Sequence, residues 1–271
     1  MYRKIYLTAL LAASFLVFVL MPLRAQHFLI ENQHQLCCNI YSLSKPVWDN
    51  AGEQLLLTGK HNRGLFILNV NTKELRQIES QLKIKSKPVW LKNGEIAYLK
   101  GNQYGFIKTL KSNGSDAADT LLTIDTRQQK IKAITLGSNK SWEVTPEKGL
   151  FYNPVIAPNG KLAVIHLKSE MYLYATDGSG IIKPLGTGIA SSWSPDSRYI
   201  FGFLDSSANG HYIDGSELFV LDVETAERQQ LTNSPGIFEM WPAVSPDGKK
   251  VVFSDEKTGS LFIAGIKKTN P

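Results

Sequence analysis

The sequence predicts an all-β fold, a β-propeller of about five four-stranded blades, with six blades as the alternative. The main observation is a repeat motif that occurs five times, in which a few extended residues precede a tight turn and a hydrophobic strand. The copies lie at 45–52, 87–94, 153–160, 191–197 and 241–248. Because the extended segment, the turn and the strand follow one another in the same order in every copy, one antiparallel unit is predicted to repeat along the chain.

The last copy of the motif shows how a blade is expected to begin. Pro242-Ala243-Val244 is a short extended segment, and Ser245-Pro246-Asp247-Gly248 has the composition of a turn. Proline presets φ, while Asp and Gly tolerate the conformations that a tight turn needs. Strands are then expected at 249–254 and 260–266. The fourth copy continues further, with strands expected at 198–203, 217–221 and 227–231 and a long loop at 204–215.

A second signature follows the repeat motif and supports the same unit. Leu65–Thr72 matches Leu218–Thr225, since both are hydrophobic strands that end in a polar turn. Weaker versions occur at 121–126 and 171–178. We interpret these segments as the third strand of each blade, so that four strands follow one another in each unit.

The intervals between successive turns decide between five and six blades. They are 42, 66, 37 and 51 residues, and most lie near the 40–50 residues of a four-stranded blade. We interpret 104–119 as an expanded loop between the second and third strands of one blade, and 138–150 as a long connection. An eroded extra blade is the competing explanation of the longest interval.

The two ends of the chain are predicted to close the ring. The last unit stops after its third strand, at Ile266, and a fourth strand can come from residues 27–36. Gln35-Leu36 precedes the first copy of the motif at a distance similar to that by which Gln230-Leu231 precedes the last copy. A blade completed by both ends seals the ring and removes an exposed strand edge.

Residues 1–25 are predicted to be a secretory signal, and residues 26–271 a single propeller domain. Arg3 and Lys4 precede an uncharged apolar run, Leu7–Met21, and Ala25 is a small residue at the expected cleavage point. An uncleaved anchor is the alternative, although a membrane span needs about 20 apolar residues. We therefore expect a periplasmic protein, with no stable membrane span after cleavage.

Charge and cysteine content exclude some classes of function. The net charge of +6 falls to +3 once Arg3, Lys4 and Arg24 are removed with the signal, and the remaining basic residues are scattered. No basic stripe predicts nucleic-acid binding. The two cysteines, Cys37 and Cys38, are adjacent, so an intramolecular disulfide would be unusual. We interpret them as small packed side chains, with a redox role as the alternative.

The turn sequences resemble those of a known family. Ser245-Pro246-Asp247-Gly248, the Pro-Ala-Val or Pro-Val-Trp before such turns, and Phe253-Ser254-Asp255 are similar to the WD40-like (PD40) repeats of the TolB propeller family. The segment 231–242 is also similar to that family's blade junction. This resemblance implies a periplasmic scaffold that binds a peptidoglycan-associated lipoprotein. TolB proteins carry an α/β domain before the propeller, whereas only residues 26–44 separate the predicted signal from the first motif here. Contacts of that domain are therefore not carried over.

No catalytic group, metal ligand set or cofactor motif is predicted. The five histidines, at 27, 34, 61, 166 and 211, show no metal-ligand spacing. Oligogalacturonate lyases, which use a similar propeller, would imply a metal site with several histidines. There is no Gly-x-Ser-x-Gly element, and Asp196 and Asp247 are expected to bond their own turn backbones. The chain is therefore not expected to be an enzyme.

Aromatic residues are the candidate contacts for a partner. Trp48, Trp90 and Trp193 share one position in the motif, and Trp241 lies three positions earlier. Packing between blades is the first interpretation, and an aromatic rim that grips a ligand is the second. Candidate contacts in the long loops are Tyr104, His211 and Tyr212.

The predicted function is an exported, monomeric, non-enzymatic scaffold that binds an envelope protein, such as a peptidoglycan-associated lipoprotein. A glycan- or peptide-binding module is the alternative, followed by a lyase or hydrolase with its site in the channel.

Overall fold

The computed structural model describes residues 27–37, 42–84, 87–100, 103–107, 119–136, 138, 140–207, 210 and 212–269. Strands dominate these residues, and a short 3₁₀ turn at Lys60–Asn62 is the single helical element among them. None of the helical segments in these ranges has the length and apolar composition needed to cross a membrane. The predicted signal at 1–25 and the second cysteine, Cys38, lie outside the described residues.

Four blades contain four antiparallel strands each, and three of them are built from consecutive strands that begin with a copy of the repeat motif. Blade 1 consists of β2 (Ser44–Trp48), β3 (Gln54–Thr58), β4 (Arg63–Asn69) and β5 (Leu75–Lys83). Blade 3 consists of β12 (Phe151–Ile156), β13 (Leu162–Leu167), β14 (Glu170–Ala175) and β15 (Gly180–Thr187). Blade 4 consists of β16 (Ile189–Trp193), β17 (Tyr199–Ser206), β18 (Gly215–Asp222) and β19 (Arg228–Gln230).

Blade 5 is completed by the N-terminal strand, as predicted. It consists of β20 (Glu239–Val244), β21 (Lys250–Asp255), β22 (Ser260–Thr269) and β1 (His27–Cys37). β1 pairs with β22 in antiparallel register from His27 opposite Thr269 to Cys37 opposite Leu261. Phe28 is buried, and its ring centroid lies 4.8 Å from Tyr199 and 5.7 Å from Phe201 of blade 4. The N-terminal strand therefore closes the ring through both its backbone and its side chains.

The longest interval contains more than an expanded loop. Blade 2 consists of β6 (Val89–Trp90), β7 (Ile96–Lys100) and β8 (Gln103–Ile107) in the described part of the chain. A separate three-stranded sheet follows, which we call the intervening sheet: β9 (Thr120–Asp125), β10 (Lys130–Thr135) and β11 (Ser141–Glu143). Tyr104 therefore lies in a strand and not in a loop. β9 pairs with β10 instead of with β7, so the segment 121–126 is not the third strand of blade 2.

Hydrophobic clusters between neighbouring sheets define the order around the ring. Leu121 of the intervening sheet packs with Leu91 and Ala97 of blade 2, and Ile131 and Ala133 pack with blade 3. Further clusters join blades 1 and 2, blades 3 and 4, blades 4 and 5, and blades 5 and 1. The predicted fold class, an all-β propeller, is confirmed. Five blades begin with the motif, and the intervening sheet lies where the six-blade alternative would place an extra blade.

The Asp residues of the turns bond their own backbones, as the sequence predicts. In blade 5, Asp247 Oδ1 accepts hydrogen bonds from Ser245 Oγ at 2.6 Å and from Lys249 N at 3.0 Å. Gly248 has φ of 72°, a left-handed conformation that glycine adopts without steric cost. In blade 4, Asp196 Oδ1 likewise accepts from Ser194 Oγ and from Arg198 N.

Glu239 is a buried acid at the start of β20. Its side chain is 0% exposed, and among the described residues neither carboxylate oxygen has a hydrogen bond of normal length and angle, although polar side chains lie near it. Burial raises its pKa, and the charge of Glu217 adds to this, while the side chains of Thr232, Ser234 and Gln33 act in the opposite direction. The carboxyl group therefore holds its proton to higher pH in the folded state than in the unfolded chain.

Replacement Glu239→Gln is expected to stabilise the propeller at neutral pH. With a raised pKa in the folded state, the acid's contribution to stability is present at low pH and is lost as pH rises through that value. Gln cannot ionise, so the variant should gain about 1.4 kcal/mol at pH 7.5 for each unit by which burial raises the pKa, and little at pH 4, where the acid is largely protonated in both states. Urea unfolding at both pH values measures this, with the exposed Glu74→Gln as the matched control. A variant less stable than wild type at pH 7.5 would contradict the assignment.

Candidate functional site

The candidate site lies at one end of the propeller channel. The first strands of the blades that carry the motif line the channel. We call the end of the propeller where these first strands begin the upper face. The β17–β18 connection (207–214) and the β21–β22 connection (256–259) lie on this same face. The opposite end, the lower face, carries the Pro-Asp turns. Hydrogen bonds across blades, such as Ser44 Oγ to Glu256 Oε1 at 2.6 Å, confirm that these upper ends lie side by side.

A repeated backbone irregularity marks the channel strands. Lys45, Asn153 and Trp241 occupy the first position of the motif, and their φ angles are 54°, 44° and 57°. Each falls at a break in the strand register, which is typical of a β-bulge. A positive φ in a bulky residue such as Trp is uncommon and costs about 1–3 kcal/mol. We infer that the bulges turn these three side chains toward the channel.

Lys87, which also occupies the first position of the motif, crosses the channel. Its Nζ donates hydrogen bonds to the Ser191 carbonyl oxygen at 2.9 Å and to Ser191 Oγ at 3.4 Å. Ser191 belongs to blade 4, which the ring order places opposite blade 2. The side chain therefore bridges opposite walls and narrows the channel at this level.

Lys45 lies beside this bridge. Its Nζ is 4.7 Å from the centroid of the Trp241 ring, a cation–π contact between blades 1 and 5. Trp241 also packs in a T-shaped arrangement against Phe203, with ring centroids 5.1 Å apart, so blade 4 helps to hold the ring in place. The contact fixes one ammonium group at the upper mouth of the channel, the space around Lys45, Lys87 and Trp241.

Burial weakens the basicity of both amines. Burial lowers the pKa of Lys87 to about 7, and the positive charge of Lys45 adds to the effect. Burial also lowers the pKa of Lys45, whereas the carboxylate of Glu256 raises it. An appreciable fraction of the Lys87 amine is therefore neutral near pH 7, which is far below the ordinary value for a lysine.

His166 is a structural histidine beneath the channel wall. Its side chain is 0% exposed. Nδ1 lies 3.1 Å from the Asn153 carbonyl oxygen, and Nε2 accepts a hydrogen bond from Ala190 N at 3.1 Å. This pattern places the ring proton on Nδ1. Burial lowers the pKa of His166 to about 4, so it stays neutral and joins blades 3 and 4.

Three of the predicted tryptophan contacts serve the packing between blades. Trp48 Nε1 donates to the Ala243 carbonyl at 2.9 Å, Trp90 Nε1 to Val47 at 3.2 Å, and Trp193 Nε1 to Val155 at 2.9 Å. Every acceptor is the third residue of the motif in the neighbouring blade. Trp48 and Trp193 are only 7% and 6% exposed, so we do not include them in a binding surface.

The β17–β18 hairpin presents apolar side chains on the upper face. Tyr212 is 77% exposed, Leu204 45% and Ile213 42%. The hairpin strands are longer than predicted, because β17 continues to Ser206 and β18 begins at Gly215, which shortens the connection to 207–214. His211 and the side chain of Tyr104 lie outside the described residues.

The remaining clefts lie away from this site. One of about 290 Å³ lies between blades 4 and 5 and is lined by turn residues that include Pro195, Asp196 and Asp247. Those carboxylates already bond the turn backbones. Within the described ranges, no group of three or more His, Cys, Asp or Glu residues could hold a metal ion.

Comparisons with known proteins support the fold. No family model matches the chain, and no curated protein matches it by sequence. The β-propeller domain of Cps50 (Swd1) from Myceliophteria thermophila has a TM-score of 0.55 and 9% identity, with 89% of this chain and 100% of that chain covered. An oligogalacturonate lyase in complex with manganese has a TM-score of 0.53 and 12% identity, covering 89% and 96%. At these identities the likeness shows the propeller fold alone.

TolB from Acinetobacter baumannii is also among the similar structures. Its TM-score is 0.44 at 14% identity, and the match covers 82% of this chain and 54% of that chain. The chain thus spans about half the length of that TolB protein. The PD40 repeat family itself remains a prediction from the turn sequences.

Proposed function

We propose that this propeller is an exported, monomeric, non-enzymatic scaffold that binds an envelope protein through its upper face. The observation that carries the proposal is the β17–β18 hairpin, where Leu204 in β17 and Tyr212 and Ile213 in the connection expose apolar surface. Scattered exposed apolar residues are ordinary, but several on one hairpin are typical of an interaction site.

The upper mouth of the channel lies on the same face and adds a polar part to this surface. Lys45 and Trp241 are held there by their mutual contact, and Glu256 is hydrogen-bonded to Ser44 beside them. An apolar anchor next to fixed charged groups is the usual composition of a specific protein interface. The resemblance of the turn motif supports a peptidoglycan-associated lipoprotein as the first partner to test.

Affinity capture from an envelope fraction tests the proposal. Tyr212→Ser is expected to reduce capture of the partner by tenfold or more, because loss of an aromatic hot spot costs about 2 kcal/mol. Ile182→Ser is the matched control, since Ile182 is 50% exposed but lies on β15, the outer strand of blade 3. Equal loss in both variants, or in neither, would contradict a binding role for the hairpin.

A glycan-binding module is the second candidate, and the partly exposed Trp241 ring supports it. Recovery of a glycan and no protein from the same capture would favour this candidate. The non-enzymatic part of the proposal has its own test. Polygalacturonate incubated with the protein and manganese should give no unsaturated product, and steady release of such a product would overturn it.

A further inference from the structure

The two lysines at the upper mouth lie close together without a neutralising carboxylate in the described part of the chain. Lys87 Nζ bonds to two neutral oxygens of Ser191, and Lys45 Nζ lies over the Trp241 ring. In the part of the chain that the structure describes, neither amine forms an ion pair with a carboxylate. Their charges oppose each other, and Glu256, which acts on Lys45, already accepts a hydrogen bond from Ser44.

Like charges in a partly buried channel are unfavourable unless one group releases its proton or an anion joins them. Repulsion between two ammonium groups grows as the effective dielectric constant falls, and here it contributes to the lowered pKa of Lys87. Each ammonium group has three N–H donors, and neither lysine uses all of them on the contacts described above. A single anion between the two amines would accept from both and remove the repulsion.

We propose that the upper mouth of the channel binds a carboxylate of an acidic peptide segment between Lys45 and Lys87, beside the Trp241 ring. This inference rests on the proposed function, because it names the chemistry of the partner at the same face. Charge-assisted hydrogen bonds from ammonium groups to a carboxylate are among the stronger polar contacts in proteins.

The surroundings favour a peptide over other anions. The apolar residues Leu204, Tyr212 and Ile213 on the same face suit the side chains next to an acidic residue in a peptide. Two lysines without a helix N-terminus or a glycine-rich turn beside them lack the converging backbone N–H groups that usually hold a phosphate. An acidic sugar shares the carboxylate, and the experiment below separates it from the peptide.

Binding should take up protons. A carboxylate favours the charged amines, so the pKa of Lys87 rises from about 7 on binding, and at pH 7 about half a proton should be taken up per site. Lys45 and Glu256 also lie near the Lys87 amine. His166 on β13 stays neutral, because its pKa is about 4. Affinity is therefore expected to fall by up to about tenfold per pH unit above pH 7.

Titration calorimetry with two synthetic peptides tests the inference. The first is a blocked hexapeptide of alternating Leu and Asp, and the second replaces each Asp with Asn. The acidic peptide should bind at least tenfold more tightly, and measurements at pH 7 in two buffers of different ionisation enthalpy should report the proton uptake. Lys87→Met should weaken binding tenfold or more. Lys87→Arg should retain binding and reduce its dependence on pH between 7 and 9, because arginine stays charged and only Lys45 then titrates.

Lys250→Met is the matched control, since Lys250 is exposed on the lower face. Thermal melts of all variants establish that they are folded. Equal affinity for both peptides, unchanged affinity in Lys87→Met, or tighter binding of digalacturonate than of the acidic peptide would overturn the inference. If the lysine variants capture the envelope partner as well as wild type while Tyr212→Ser does not, the carboxylate site fails and the proposed function stands.

Discussion

A chain that lacks residues 27–36 is expected to lose the cooperative thermal transition of the intact propeller. The deletion removes nearly all of β1, leaves the edge of β22 unpaired, and takes away the buried Phe28 and Leu36. Loss of one buried Phe costs about 3–5 kcal/mol, and an unpaired strand edge adds to this. The sum approaches the total stability of about 5–15 kcal/mol that ordinary domains possess. Circular dichroism melts and gel filtration measure the loss.

Two point variants on the same strand make this prediction specific. Phe28→Ala should lower stability by about 3–5 kcal/mol, because the ring packs between Tyr199 and Phe201. Leu29→Ala should change it by less than about 0.5 kcal/mol, because Leu29 is 48% exposed. A deletion variant that melts like wild type would show that the N-terminal strand does not close the ring.

Replacement Trp48→Ala is expected to lower stability by about 3–5 kcal/mol. The side chain is 7% exposed, packs between blades 5 and 1, and donates to the Ala243 carbonyl. Trp48→Phe keeps most of the ring and loses the hydrogen bond, so a smaller loss of about 1–3 kcal/mol is expected because the buried carbonyl loses its donor. Urea unfolding of both variants measures these values.

Tyr212→Ala is the control for the tryptophan series, because Tyr212 is 77% exposed and should tolerate the change. A Trp48→Ala protein with an unchanged unfolding midpoint would mean that Trp48 does not hold two blades together. In that case its indole would again become a candidate for partner binding.

The turns and the closure of the ring could be predicted because they depend on local chemistry. Pro, Asp and Gly at fixed positions define a turn, and Asp247 bonds its own backbone as expected. A last unit with three strands needs a fourth, and residues 27–36 stand before the first motif at a distance similar to that of a fourth strand from the next motif. Neither prediction depends on knowing which residues far apart in the sequence are in contact.

The intervening sheet could not be assigned from the same patterns. Leu121–Asp125 has the hydrophobic run and polar turn of a third strand, so its sequence is compatible with pairing to β7. The structure pairs it with β10. Alternation of apolar residues predicts a strand but does not specify its neighbour, because register is decided by packing against sheets that are far apart in sequence.

The lysine pair was also missed, since Lys before Pro-Val-Trp has the composition of a solvated strand start. An alignment of the five copies of the motif contains the information needed to find the pair. Lys45, Lys87, Asn153 and Trp241 occupy one position of the motif in blades 1, 2, 3 and 5, and a ring brings such positions together at its axis. Equivalent positions in a closed repeat converge even when their residue types differ.

Site-specific photo-crosslinking in the cell envelope tests most directly whether the upper face of the propeller binds a partner protein. A photoreactive residue placed at Tyr212 should give one defined protein adduct, and the same residue at Ile182 on the outer strand of blade 3 should give none. Adducts from position 182 alone, or no protein adduct from position 212, would contradict the account.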